Sequence, residues 1–226
     1  MIYTATQPQY LARLHVWNRL VMTDRFVLSD DVDFDRHHWQ HRTALIDGTN
    51  QQTGTRLLTL PVKHGGSRRI AEKELGDGWQ EEHLEVLRRT YRDAPFLADT
   101  IEFLEPLMFA ARNSLKAATV GLFFAVAEWI GVHTCGRVFL ASELLVGCEA
   151  HKTDRLIALG EILKSDGYLT GRVALNEYLN EEKMTDSGIA VSVQDWTPPI
   201  AENPSIVHLM MTVPQREIWA MLGGTS

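Results

Sequence analysis

The chain has 226 residues, 45% of them hydrophobic, and 22 Lys and Arg against 29 Asp and Glu give a net charge of −7 at pH 7. That size and apolar content can fill a core without staples. The acidic balance argues against a large sequence-independent footprint on nucleic acid, which needs Lys and Arg to neutralise phosphates. Local basic clusters remain at 36–42, 63–69 and 88–92. Cys135 and Cys148 lack CxxC spacing, so neither a disulfide framework nor a zinc site is expected and the setting reads as cytosolic. "MIYTATQPQY" lacks the basic flank and apolar run of a signal peptide. The richest apolar stretch, "VGLFFAVAEWIG", is short for a membrane span and carries Glu128.

In chain order, "IYTAT" (2–6) is a β-rich run. The Gln7-Pro8 break leads into "YLARLHVWNRLVM", where Leu11, Leu14, Val21 and the ring of Trp17 recur near helical spacing. "RFVLSDDV" reads as a second, buried strand and "RLLTLPVK" as a third that Pro61 ends. "GWQEEHLEVLRRTY" is an amphipathic helix with acids early and arginines late, as the helix dipole favours, and its continuation stops at Ala94-Pro95. A core helix is predicted from Ser114 to a Gly131 cap, with Leu115, Ala118, Leu122, Phe123, Val126, Trp129 and Ile130 on a wide apolar face. "RVFLAS" follows as a strand, "TDRLIALGEILKSDG" as a helix capped by Thr153 and Gly167, and "IAVSVQDW" as a late strand.

Strands alternating with helices predict an α/β fold, a mainly parallel sheet flanked by helices. The reading is a single domain over 1–226 with a site-bearing half (1–95) and a helix-rich C-terminal half (96–226). Ligands in such sheets sit beyond the carboxyl ends of the strands. Gln7, the Asp30/Asp31 pair and Lys63 each follow a predicted strand, so one cleft is expected to collect them.

The run "LSDDVDFDRHHWQHR", Leu28 to Arg42, concentrates ionisable groups. Asp31, Asp33 and Asp35 alternate like the start of a calcium loop, but Arg36 and Arg42 stand where that loop needs Gly and Glu. A zinc reading of His37, His38 and His41 lacks an HExxH frame. No metal is therefore expected. A plain strand end would turn Val32 and Phe34 inward and the aspartates to solvent. Trp39 is costly in a polar loop, and alternating carboxylate and cation suits recognition of a zwitterion or a phosphate.

"QPQYL", "DRFVLSDDVDF", "WQHR", "LTLPV" and "GWQEEHLEVLRRTYRDAPF", followed by "KTDRLIAL", "GYLTG", "SGIAV" and "PSIVHLM", resemble the WbqC-like protein family in order and spacing over nearly the whole chain. The resemblance implies an amino-acid transferase. Such proteins occur with surface-polysaccharide (O-antigen) genes, where glycine transfer has been proposed, and in phages, some of which decorate thymine by displacing pyrophosphate with an amino-acid amine. The implied partners are an amino acid, glycine above all, and a phosphorylated acceptor, either a DNA base or a nucleotide-linked sugar; no cofactor and no membrane are implied. The chain departs from the family's QPxYxPWxGY pattern: Ala12, Arg13, His15 and Val16 replace the Pro, Trp, Gly and Tyr. The cleft entrance thereby gains two groups able to meet phosphate.

A mechanism follows as an expectation. Asp31, its carboxyl pKa raised by its like-charged neighbour Asp30, would be the base that deprotonates the donor amine, with Asp30 holding the ammonium or orienting a histidine. Arg42 would clamp the amino-acid carboxylate. Arg13, His15, Lys63, Lys152 and Arg155 would face the leaving phosphate, Lys152 and Arg155 at a helix start where amides add to anion binding. Gln7 would bond an acceptor ring, and Tyr10, Trp39 and His41 complete the binding set. The plainer alternatives are solvation for Lys152 and Arg155, helix capping for Gln7, and packing for His83. Two other functions stay open: a nucleotidylyltransferase-like enzyme with His15 on phosphate, and a non-catalytic nucleotide-sugar binding protein.

Overall fold

The computed structural model describes residues 1–48 and 54–224. Seven strands are β1 Ile2–Thr6, β2 Arg25–Leu28, β3 Arg42–Ile46, β4 Thr55–Thr59, β5 Val138–Leu140, β6 Gly167–Thr170 and β7 Ala190–Val193. The helices are α1 Leu14–Met22, α2 Trp79–Thr90, α3 Leu97–Ala110, α4 Leu122–Trp129, α5 Ala141–Leu144, α6 Lys152–Leu163, α7 Arg172–Glu177, α8 Glu181–Asp186, α9 Ile206–Thr212 and α10 Gln215–Met221. No helix among the described residues is long and apolar enough to cross a membrane.

Five strands form one parallel sheet in the order β5-β2-β1-β6-β7. It draws strands from both halves of the sequence. Successive β-strand side chains point to opposite faces, and β2 shows the consequence. Phe26 and Leu28 enter a core with Leu14, Trp17 and Leu20 of α1, Phe123 of α4 and the α9 residues, where Trp17, Phe123 and Phe26 stack. Val27 turns the other way, onto Tyr3, Ala141 of α5, Leu156 and Leu159 of α6 and Met184 of α8. The sheet is thus a middle layer between helices, as the alternation of elements predicts.

Four local expectations need correction. "RLLTLPVK" does not join the parallel sheet: β4 pairs antiparallel with β3, a strand the sequence did not announce, in a separate two-stranded sheet. The helix predicted from Ser114 opens with a π-type run over Ala117–Gly121 before α4. Thr153 does not cap α6; His151 holds that position, and the Thr153 hydroxyl instead accepts from Asn180 N–H at 2.9 Å. Lys164, at φ 53°, takes the left-handed C-terminal position expected of Gly167, which begins β6 instead.

Candidate functional site

A cavity of about 840 Å³ opens at the carboxyl edge of the sheet, lined by Thr6 and Gln7 after β1, Ser29 after β2, Thr170 and Gly171 at the end of β6, and Gln194 and Asp195 after β7. From β1 the chain runs to β2 on one side, while β6 lies on the other. That reversal parts the loops above the sheet, which is why ligands of open α/β sheets bind there.

α1 supplies the cavity's cationic wall. His15 and Arg19, one turn apart, share a face opposite Leu14, Trp17 and Leu20, and both line the cavity. Gln194 fixes that wall: its Oε1 accepts Arg19 Nε at 2.8 Å, while its Nε2 donates to the His15 carbonyl at 2.9 Å and to Asn18 Oδ1. The Arg19 Nη groups have no hydrogen-bond partner, and no carboxylate pairs with Arg19, among the described residues. Burial lowers its pKa, with Tyr168 and Tyr178 opposing, but a guanidinium keeps its proton at neutral pH. A partly buried, unpaired cation of this kind favours an anion.

Amides complete the inner surface. Gln40 Oε1 accepts the Asp35 N–H at 2.7 Å, so its Nε2 is the atom facing Gln7, 2.9 Å from Gln7 Oε1. A donor there requires an acceptor, so the free end of Gln7 is its NH2. The cavity also offers acceptors. Gln9 lines it with a buried Oε1 that has no partner, and Asp195 lines it without an ion pair among the described residues. Trp39, at the cavity wall, lies 4.2 Å from the Arg13 guanidinium and 5.4 Å from that of Arg42.

Of the residues singled out in the sequence, the cavity gathers Gln7, His15, His38, Trp39, Lys152 and Arg155, with Arg13 and Arg42 held against Trp39. Arg13 Nε also donates to the Asn203 carbonyl at 2.8 Å, and Arg42 Nη2 to the His37 carbonyl at 2.6 Å, so Arg42 is not a free carboxylate clamp. Asp31 is taken by a salt bridge to Arg155 and does not stand as an uncommitted base. Asp30 is fully buried and receives Ser142 N–H at 3.0 Å, Ser142 Oγ at 2.8 Å and Lys116 Nζ at 2.7 Å. Burial alone would raise its pKa, but those donors outweigh it and the net shift is downward, opposite to the rise expected of a carboxylate pair. Asp30 therefore pins the β2 end to α5, and its oxygens are committed to Ser142 and to the Lys116 ammonium.

Tyr10, His41 and Lys63 lie outside the cavity lining. Tyr10 is buried with its hydroxyl 2.9 Å from His83 Nδ1, and Lys63, beyond the β4 strand rather than at the parallel sheet's edge, pairs with Glu74 at 3.1 Å. His41 packs edge-on to Phe34. His83 Nε2 stands 3.3 Å from the Thr59 carbonyl, so it packs as expected. The sequence reading missed Arg19, Gly171, Gln194, Asp195 and Asn203. Only Arg19 left a signal, its i, i+4 spacing from His15. Among the described residues no group of three or more His, Cys, Asp or Glu is placed to hold a metal ion.

The comparisons with known proteins agree with the resemblance read in the sequence. Residues 7–214 match the WbqC-like protein family. The chain is similar to the uncharacterized protein Rv1507c of Mycobacterium tuberculosis, 24% identical over 194 residues, which cover 84% of this chain and 80% of that protein. No solved structure matches. With 208 of its 226 positions spanned by the family match, the chain belongs to the WbqC-like protein family.

Proposed function

We propose that the chain is a transferase that joins an amino acid of glycine type, through its amine, to an acceptor activated by phosphate or pyrophosphate, with both substrates in the switch-point cavity. One observation supports this reading above others: Arg19, a guanidinium without a carboxylate, and Asp195, a carboxylate without a cation, among the described residues, line the same cavity. A phosphate suits the first and an ammonium the second. Arg155 and Lys152 add positive charge at the wall, Arg155 oriented by Asp31.

In the reaction the amine lone pair forms a C–N bond to the acceptor carbon while the carbon–oxygen bond breaks, and the phosphate leaves with that electron pair. The proton of the donor ammonium goes to a carboxylate. Asp195 takes that part here, since Arg155 already neutralises Asp31. The acceptor is a hypermodified thymine base of phage DNA or a nucleotide-linked sugar of surface polysaccharide, the two settings that the family resemblance implies.

The test is incubation with isotope-labelled glycine and each activated acceptor in turn, following label in the product and phosphate or pyrophosphate released. One acceptor should take label with one equivalent of leaving group freed. Tight binding of pyrophosphate or of a nucleotide sugar with no label transferred from any amino acid would instead make the chain a binding protein.

A further inference from the structure

Asn203 makes three contacts at the entrance to α1. Its Oδ1 accepts the His15 backbone N–H at 3.0 Å, its Nδ2 lies 2.7 Å from His15 Nδ1, and its carbonyl accepts Arg13 Nε at 2.8 Å. It makes them from a left-handed backbone, φ 48°, a conformation that asparagine tolerates better than most residues. It also lines the cavity.

The first contact decides the second. A backbone N–H can only donate, so the amide atom facing it is the oxygen and the atom facing Nδ1 is the NH2. Because that NH2 donates, Nδ1 carries a lone pair, and the proton of the neutral imidazole sits on Nε2. Burial, followed by the charges of Arg19 and Arg13, lowers the pKa of His15 to about 4 and outweighs an upward pull from the Asn203 contact, so the ring is neutral at pH 7. Across the ring, Asn203 and Gln194 do not titrate. Nε2 has no partner among the described residues, on a side chain that lines the cavity.

We infer that Asn203 is a positioning residue that fixes His15 as a neutral Nε2–H donor, and that His15 gives this hydrogen bond to an oxygen of the leaving phosphate or pyrophosphate. His15 keeps its proton throughout, because losing it would leave an imidazolate. Its contribution is a preorganised donor aimed where negative charge builds as the carbon–oxygen bond breaks. The leaving-group part rests on the proposed transfer; the tautomer does not. His15 stands where the family pattern carries glycine.

The test has two readouts. Long-range proton–nitrogen correlation on ¹⁵N-labelled protein at pH 7 reads the His15 tautomer, and calorimetric titration reads affinity for inorganic pyrophosphate. The wild type should show Nε2–H. Asn203→Asp, which keeps the shape but presents an acceptor to Nδ1, should place a proton on Nδ1; if it fails to fold, Asn203→Gly, which suits the positive φ, should show a tautomer mixture. His15→Gln sets an NH2 near the Nε2 position and should hold pyrophosphate within about threefold, while His15→Asn reaches only the Nδ1 position and should lose roughly tenfold or more, the size of one charge-assisted bond. Nδ1–H in the wild type, or a tautomer indifferent to the Asn203 substitutions, overturns the lock. Equal losses in His15→Gln and His15→Asn overturn the donor role. A wild type that ignores pyrophosphate overturns the phosphate site itself, while the tautomer spectrum still decides the lock.

Discussion

A Cβ placed on Gly171 would stand 2.3 Å from Arg19 Nη2. The end of β6 and the middle of α1 therefore approach with no room for a side chain between them. Gly171 has φ −92°, open to any residue, so what glycine provides here is space for the guanidinium. The cationic wall of the cavity depends on an absent methyl group 152 residues away from the arginine it admits.

Gly171→Ala should therefore separate folding from binding. The atom that must move is the far end of a flexible side chain, so stability by urea denaturation should change by no more than about 0.5 kcal/mol. Pyrophosphate affinity should fall roughly tenfold as Arg19 is displaced from its place beside Gln194. Affinity equal to wild type would remove Arg19 from the site.

What the sequence made legible was local. β1, α1 and β2 follow one another with short connections, so strand, loop and helix signals fell in the right order, and Gln7 and His15 were found because they sit in or beside those elements, while Trp39 was found as a large ring in an otherwise polar run. β3 was missed because "WQHRTALID" opens with polar groups and pairs with β4 in a separate sheet, while β4 was assigned to the parallel one. That assumption carried Lys63 into a cleft it does not reach. Arg19 stands out in the sequence only by its spacing from His15; Gly171 and Gln194, which give it a place, lie more than 150 positions onward. Asp30 and Asp31 looked like a pair because they adjoin in sequence. In the fold they part, one to Lys116 and Ser142 and the other to Arg155.

That parting gives contrasting outcomes for two aspartates. Asp195→Asn should lower amino-acid transfer by roughly the 10²–10⁴ that general-base catalysis contributes, with pyrophosphate affinity unchanged or improved. Asp31→Asn should instead weaken pyrophosphate binding by loosening Arg155, with a smaller effect on turnover at saturation. The comparison is read from kcat and KM measured side by side. If Asp31→Asn abolishes turnover at saturating substrate while Asp195→Asn does not, the base is Asp31.

Asp30→Asn belongs to folding. It leaves Lys116, 35% exposed at its side chain, facing a neutral amide in a place where the carboxylate was fully buried. Removing one partner of a buried pair costs about 3 kcal/mol or more, and the partial exposure of Lys116 puts this case at the low end. Denaturant unfolding should show a loss of about 2–3 kcal/mol. A loss below about 0.5 kcal/mol, the range of ordinary surface substitutions, would show that Asp30 does not pin the β2 end to Lys116 and α5.

Acid should weaken the fold through its neutral histidines. His41 and His83 are 6% and 3% exposed. Burial lowers both to about 4, with Arg42 and Arg36 adding to the effect at His41, and His15 is lowered to the same value. An unfolded histidine titrates near about 6.5, so between that pH and about 4 the unfolded chain takes up protons that the fold refuses. More protons on the unfolded state means that stability rises with pH: it is fully present above about 7 and lost as pH falls, by at most ~1.4 kcal/mol per pH unit for each histidine. Asp30, whose pKa is lowered, keeps its contribution through this window and does not account for the loss. The urea midpoint should hold from pH 8 to 7 and fall steadily at pH 6 and 5. His83→Gln, which replaces the ring between Tyr10 and Thr59, should start less stable but show a shallower slope, one proton fewer among the four histidines, His15, His41, His83 and His208, whose pKa burial lowers. A midpoint level from pH 7.5 to 5 would mean that these histidines are not held neutral.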